Sequence, residues 1–153
     1  MRCLAFQLGE GRYALPLCDI LEVLPLLPLS GVPHAPDYIS GIINYRGQVV
    51  PVLDLCQLTL GRPCEAKMST RLIVLRWQMA AGRADRLLAL MVERAVNEMK
   101  LDAETFQSPP LQIDETPYLE RLAVSATGLV QMVTVSQLLP QEMAALLYPE
   151  EVA

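Results

Sequence analysis

Residues 39–45 and 48–53 read as two strands with almost nothing between them: Ile39-Ser40-Gly41-Ile42-Ile43-Asn44-Tyr45, then Arg46-Gly47, then Gln48-Val49-Val50-Pro51-Val52-Leu53. A two-residue connection containing Gly accommodates positive φ, which suits a tight antiparallel hairpin. The design recurs further along the chain. Shifted by 80 positions, Tyr38 falls on Tyr118, Val50 on Val130, Leu53 on Val133, Leu55 on Val135, Gln57 on Gln137 and Leu58 on Leu138. Both copies read Tyr, strand, Gly-bearing turn, strand and a Gln-Leu end. Shifted by 75, Ala14-Leu15 falls on Ala89-Leu90, and shifted by 76, Glu22 falls on Glu98. Two similar five-stranded units are expected, over about residues 1–60 and 70–140, each small for a core of its own and therefore sharing one.

The remaining runs fit this plan. Residues 3–8 alternate and break at Gly9-Glu10-Gly11, after which 13–17 resume a strand. Residues 19–24 suit one helical turn or a twisted strand. Pro25, Pro28, Gly31, Pro33 and Pro36 make the following stretch extended and irregular. Residues 55–60 suit a helical turn ending at Gly61. Strands are expected at 72–77, 86–92, 95–100, 119–125 and 129–134, with a polar linker at 62–70, a loop at 80–85 and a long polar loop at 102–117. Residues 141–147 read as a short helix with Met143, Leu146 and Leu147 on one face.

Composition narrows the function. Hydrophobic residues make up 52% of the 153-residue chain and charged residues 19%, which favours an ordered, largely aliphatic core over disorder. The net charge is −5 and the ten Arg and two Lys are scattered, so no basic stripe marks a nucleic-acid partner. No run approaches the roughly 20 apolar residues of a membrane span, and the start develops no signal-peptide hydrophobic region. A cytoplasmic location without membrane insertion is the expectation. The cysteines Cys3, Cys18, Cys56 and Cys64 are separated by 15, 38 and 8 positions, matching no C-x-x-C pattern. Free thiols and no metal are expected.

The catalytic motifs H-E-x-x-H, G-x-S-x-G, the P-loop and G-x-G-x-x-G are absent from the sequence. The single His34 sits in Val32-Pro33-His34-Ala35-Pro36 with no adjacent partner for general-base work. Asp54, ending a strand, suits a phospho-acceptor, a metal ligand or, best, a cap accepting backbone N–H bonds. Arg46 is different. At a hairpin tip its guanidinium either faces a partner or folds back on a carboxylate, and Glu22 in Ile20-Leu21-Glu22-Val23 is the nearest candidate. Around it Ile20, Val23, Leu24, Leu26, Leu27, Leu29, Val32 and Ile39 make a Pro-interrupted apolar belt, parts of which face outward if it is extended. An adaptor is therefore set against a small enzyme or ligand sensor using Asp54, Glu22 and His34.

Several motifs in fixed order carry a resemblance: Tyr13-Ala14-Leu15-Pro16-Leu17, Glu22-Val23, Pro33-His34-Ala35-Pro36-Asp37-Tyr38-Ile39-Ser40-Gly41, Asn44-Tyr45-Arg46-Gly47, Pro51-Val52-Leu53-Asp54-Leu55, Arg71-Leu72-Ile73-Val74, Leu90-Met91-Val92-Glu93 and Gly128-Leu129-Val130. Together they resemble the CheW family, the coupling proteins of bacterial chemosensory arrays, over nearly the whole chain.

The resemblance implies a mainly β fold, with two intertwined five-stranded SH3-like β-barrels and short helices, one of them C-terminal. It implies a single domain over 1–153, with the first barrel at about 1–61, the second at about 70–140 and a C-terminal helix and tail at 141–153. It implies no catalysis and no cofactor. The partners implied are the cytoplasmic tip of a methyl-accepting chemoreceptor and the regulatory domain of a CheA-type histidine kinase. The receptor-binding positions would be Ile20, Glu22, Gly41, Asn44 and Arg46, with Glu22 and Arg46 as a structural ion pair. The chain departs from the family pattern in having Tyr45 where Leu is usual and Glu93 where Asp is usual. Its second Glu-Val-like pair is Glu98-Met99, and its second hairpin, 125–128, lacks an Arg.

Overall fold

The computed structural model describes residues 1–78, 86–111, 113–125, 128–140 and 143. Among these described residues ten strands run β1 (Arg2–Leu8), β2 (Gly11–Pro16), β3 (Ile20–Pro25), β4 (Ile39–Tyr45), β5 (Gln48–Asp54), β6 (Arg71–Trp77), β7 (Arg86–Val92), β8 (Arg94–Lys100), β9 (Arg121–Ser125) and β10 (Gly128–Met132). One short helix, α1 (Leu55–Leu60), follows β5. Residues 19–24 resolve into the end of a 3-10 turn, Leu17–Asp19, and then strand β3. The loop at 80–85 lies outside the described residues. So does the C-terminal helix, apart from Met143, which is helical and buried.

The strands form two mixed five-stranded sheets in the orders β8-β1-β2-β10-β9 and β3-β6-β7-β5-β4. Moving each strand of the second order five places, forward for β3, β4 and β5 and back for β6 and β7, reproduces the first, so the repeat legible in the sequence is a topological repeat. Register agrees with it. Val52 lies opposite Ala89 in the parallel pair β5–β7, and Met132 lies opposite Ala14 in the parallel pair β10–β2. The carbonyl of Tyr38 accepts from Asp54 N at 2.7 Å, and that of Tyr118 from Thr134 N at 2.8 Å.

Neither sheet is a continuous stretch of sequence. The β1–β2 hairpin joins β8, β9 and β10, while β3, β4 and β5 join β6 and β7. The divisions at 1–61 and 70–140 therefore describe the two repeats and not the two sheets. The physical reason is burial. Along β6, Leu72 and Val74 enter one apolar cluster while Ile73 and Leu75 enter another. Along β7, Ala89 and Met91 enter the first while Leu88, Leu90 and Val92 enter the second. These strands are covered on both faces, which is why they read as unbroken apolar runs. The second cluster also contains Leu4, Phe6, Leu8, Tyr13 and Leu15 of the other sheet, so the space between the sheets is one shared core.

Two backbone devices shape the region around the first hairpin. Gly41, at φ +152°, lies where an added Cβ would be 2.5 Å from the Ser30 carbonyl oxygen. That close approach lets Ser30 and Ile42 exchange backbone hydrogen bonds at 3.0 and 2.8 Å, so the Pro-rich segment runs beside β4. At the end of β5, Asp54 caps α1 by accepting from Gln57 N at 3.0 Å, and Gly61 ends the helix in the left-handed conformation.

Candidate functional site

Arg46 and Gly47 form the two-residue turn between β4 and β5, with φ values of +52° and +85°. Positive φ at both positions is the signature of a type I′ turn, whose twist matches that of the flanking strands. Asn44 Oδ1 accepts from Gly47 N at 2.9 Å and closes the turn. A non-glycine residue in the left-handed region costs about 1–2 kcal/mol, and Arg46 occupies it. In that turn its side chain reaches back to β3.

There Glu22 Oε1 accepts two hydrogen bonds, from Tyr45 Oη at 2.7 Å and from Arg46 Nη2 at 2.8 Å. The guanidinium also lies 5.2 Å from the centre of the Tyr45 ring. A β-bulge between Ile20 and Glu22 shifts the pairing of β3 against β6 and so changes the aim of the Glu22 side chain. In the sheet order β3 and β4 are the two edges. The three-residue clamp therefore ties one edge to the other as the sheet curls. The carboxylate bonded to the Tyr45 phenol pushes its pKa up, and burial adds to this.

Magnitudes separate structural from recognition roles. The Arg46 side chain is 74% exposed and that of Glu22 36%. Exposed ion pairs contribute about 0–1 kcal/mol to stability, so this pair holds orientation more than it holds the fold. Asn44, Arg46 and Gln48 are exposed at the tip, and Val49, opposite Asn44, is 70% exposed.

The remaining expected positions separate. Ile20 packs, half-buried, against the shared core, and Gly41 is buried beneath Ser30. Most of the apolar belt turns inward: Leu24, Leu26, Leu27 and Leu29 cover the cluster inside their own sheet, and Ile39 is buried. Val23 and Val32 remain exposed, joined by Leu21. The chain there is extended but is laid along β4, so its alternation serves the core.

The first hairpin has a counterpart. Shifting by 80 carries the pair Asn44–Val49 onto Val124–Leu129, which lie opposite each other and are 53% and 63% exposed. Where the first hairpin carries a clamped Arg, the described part of the second carries this apolar pair; its turn residues 126–127 are outside the description.

The residues of the enzyme alternative do not assemble. Both Asp54 oxygens accept backbone N–H bonds from Gln57 and Cys64, Glu22 is engaged at the hairpin tip, and His34 lies exposed on a turn with φ +65°.

Glu93, between β7 and β8, has a role its sequence position did not announce. Its oxygens accept from Arg62 Nη1 at 2.8 Å and Nη2 at 3.1 Å, from Gly9 N at 2.6 Å and from Glu65 N at 3.1 Å. It thus ties the β1–β2 hairpin and the linker after α1 to the end of β7. The Arg62 guanidinium holds its carboxyl at about 2, well below the ordinary value, with help from the two backbone N–H groups and against partial burial. A carboxyl depressed on folding stabilises above its unfolded pKa and loses that contribution as pH falls through the folded value. We expect stability to decline between about pH 4.5 and pH 2 by roughly 1–2 kcal/mol from this group, allowing for solvent screening of the pair. Glu93→Gln should flatten that part of the pH profile, as read by urea unfolding at successive pH values.

The fold and its best-organised surface define a class: a double-barrel β scaffold whose first hairpin is clamped at its tip. The family model for the CheW-like domain matches residues 2–143, and the chain belongs to that family. It is 34% identical over 90 residues to the chemotaxis protein CheW of Helicobacter pylori, a match covering 57% of this chain and 54% of that protein. It is 26% identical over 145 residues to the chemotaxis protein CheW of Klebsiella aerogenes, covering 94% and 84%. The chain thus spans little more than half the length of the first of these relatives. Among solved structures, the scaffolding protein TtCheW from Thermoanaerobacter tengcongensis superposes with a TM-score of 0.76 at 24% identity, over 86% of this chain and 87% of that one, which supports the SH3-like fold. No helix among the described residues is long and apolar enough to cross a membrane.

Proposed function

We propose that this chain is a non-enzymatic cytoplasmic adaptor that couples methyl-accepting chemoreceptors to a CheA-type histidine kinase. The observation that carries the reading is the clamp of Glu22, Tyr45 and Arg46 at an exposed hairpin tip, in a chain of the CheW-like family. Arg46 has more donors than Glu22 uses, so the same guanidinium that is fixed by the clamp can meet a carboxylate or backbone carbonyl on a receptor's helical tip. Asn44 contributes an amide beside it. Ile20 and Gly41 act from behind, Ile20 by packing β3 on the core and Gly41 by admitting the Pro-rich segment. The regulatory domain of the kinase takes other faces of the double barrel. Signal passes because receptor states differ in their contacts with the adaptor, since a partner that bound both states equally would shift nothing.

Binding of the purified chain to a receptor cytoplasmic fragment, and separately to the kinase regulatory domain, tests this. Arg46→Ala should weaken the receptor fragment about tenfold while leaving the unfolding midpoint and kinase binding near wild type. Receptor binding unchanged in Arg46→Ala, Glu22→Lys and Ile20→Asp would overturn the site. A chain that bound the kinase and no receptor would be a decoy instead.

A further inference from the structure

We propose that Asp54, Cys56 and Cys64 form a binding site for a thiophilic divalent cation of the zinc class. The spacing of the two cysteines, eight positions, matches no recognised ligand motif. The fold brings them together nonetheless. One ligand atom from each residue, a carboxylate oxygen and two sulfurs, lies within 4.8 Å of the others. A tetrahedral zinc site with metal–sulfur bonds of about 2.3 Å and a metal–oxygen bond of about 2.0 Å sets its ligand atoms roughly 3.5 Å apart. Rotamer adjustments of the order of 1 Å close the difference.

The donors are already positioned by backbone N–H bonds that a metal would not displace, and binding gives up only the S–H bond of Cys64 to the Met91 carbonyl. Asp54 sits at the cap of α1, accepting from Gln57 N at 3.0 Å and from Cys64 N at 3.0 and 3.3 Å. A carboxylate offers about four lone-pair positions, so one remains. Cys56 lies in the first turn of α1, fully buried. Cys64 is fixed through its backbone N–H to Asp54, and its thiol points to the Met91 carbonyl at 3.4 Å. Asp54 is 4% exposed, whereas Cys64 is only half-buried, which leaves a side open for an ion to enter and for a water as fourth ligand.

Binding replaces two S–H bonds by two metal–sulfur bonds and releases both protons to solvent, with no change of oxidation state. A divalent ion bound by two thiolates and one carboxylate leaves a complex of charge −1. The bound ion would staple α1 to the linker that carries Arg62, next to the Glu93 junction between the sheets.

The test uses the reduced, chelator-treated protein titrated with cadmium or cobalt. The expected result is one equivalent bound, a sulfur-to-metal charge-transfer band, release of two protons and protection of the half-buried Cys64 thiol from a disulfide reagent, while exposed Cys18 still reacts. Cys64→Ser, at a half-buried position that tolerates a hydroxyl, should weaken uptake at least tenfold and diminish the band. Cys56→Ala should do the same, with its unfolding midpoint measured to establish folding, and Cys18→Ser should change neither. The absence of stoichiometric uptake would overturn the proposal, as would wild-type uptake by Cys64→Ser. A Cys56–Cys64 disulfide on air oxidation, with no metal taken up by the reduced form, would also overturn it.

Discussion

Leu90→Ala is expected to lower the free energy of unfolding by about 3–4 kcal/mol and the thermal midpoint by roughly 10 °C. Leu90 has no exposed surface and belongs to the core shared by the two sheets. It lies on β7, where it faces Ile73 across the antiparallel pair with β6 and Leu53 across the parallel pair with β5, and both belong to the same cluster. Truncation removes three carbons from a site walled by strands on both sides, so the cavity cannot collapse easily. Leu21→Ala, at a position 39% exposed on the edge strand β3, should cost under about 1 kcal/mol. Because the core is shared, unfolding of wild type and variant should be a single transition, with fluorescence and circular dichroism coinciding. Two separated transitions would show that the barrels unfold independently, against the shared core described above.

Glu22→Lys is expected to reduce affinity for a receptor cytoplasmic fragment ten- to a hundredfold, equivalent to about 1.4–2.7 kcal/mol, with a stability change within roughly 1 kcal/mol. The substitution removes the oxygen that accepts from both Tyr45 and Arg46, and sets an ammonium beside the guanidinium. Arg46 then leaves its place over the Tyr45 ring, and the strained turn loses the contact that aims it. Glu22→Gln keeps an acceptor for Tyr45 and should fall between the two. Combining Glu22→Lys with Arg46→Glu restores opposite charges but not an arginine at the tip. Titration calorimetry should find the double variant as weak as the single one. Full recovery would mean that the partner reads the turn's shape and not its guanidinium.

The hairpin and its copy could be read directly because short-range chemistry specifies them. A two-residue turn with Gly, flanked by apolar runs, has few alternatives, and a repeated strand-turn-strand pattern at a fixed shift recurs in three dimensions as equivalent carbonyls at Tyr38 and Tyr118. The pairing of Glu22 with Arg46 was legible through residue order and type. The hydroxyl of Tyr45 as a second donor to Glu22 was not, because a tyrosine beside a turn looks the same whether its ring is buried or free. The inward turn of Leu26, Leu27 and Leu29 was also hidden, since their segment is laid against β4 by the Ser30–Ile42 bridge that Gly41 permits. Nor did Glu93 betray its four hydrogen bonds, whose donors come from residues 9, 62 and 65.

By itself the amino-acid sequence determined the strands, their approximate limits, the cap at Asp54, the repeat and the family. Each of these depends on local alternation, on a turn residue's φ or on motifs in order. Only the tertiary structure decided which strands share a sheet, which acid meets which base at Glu93, and that Cys56 and Cys64 come together beside Asp54. An apolar run says that a strand is covered on both faces and leaves open what covers it. Here β1 and β2 cross to the sheet of β8, β9 and β10, because that exchange buries the inner faces of both repeats in one core.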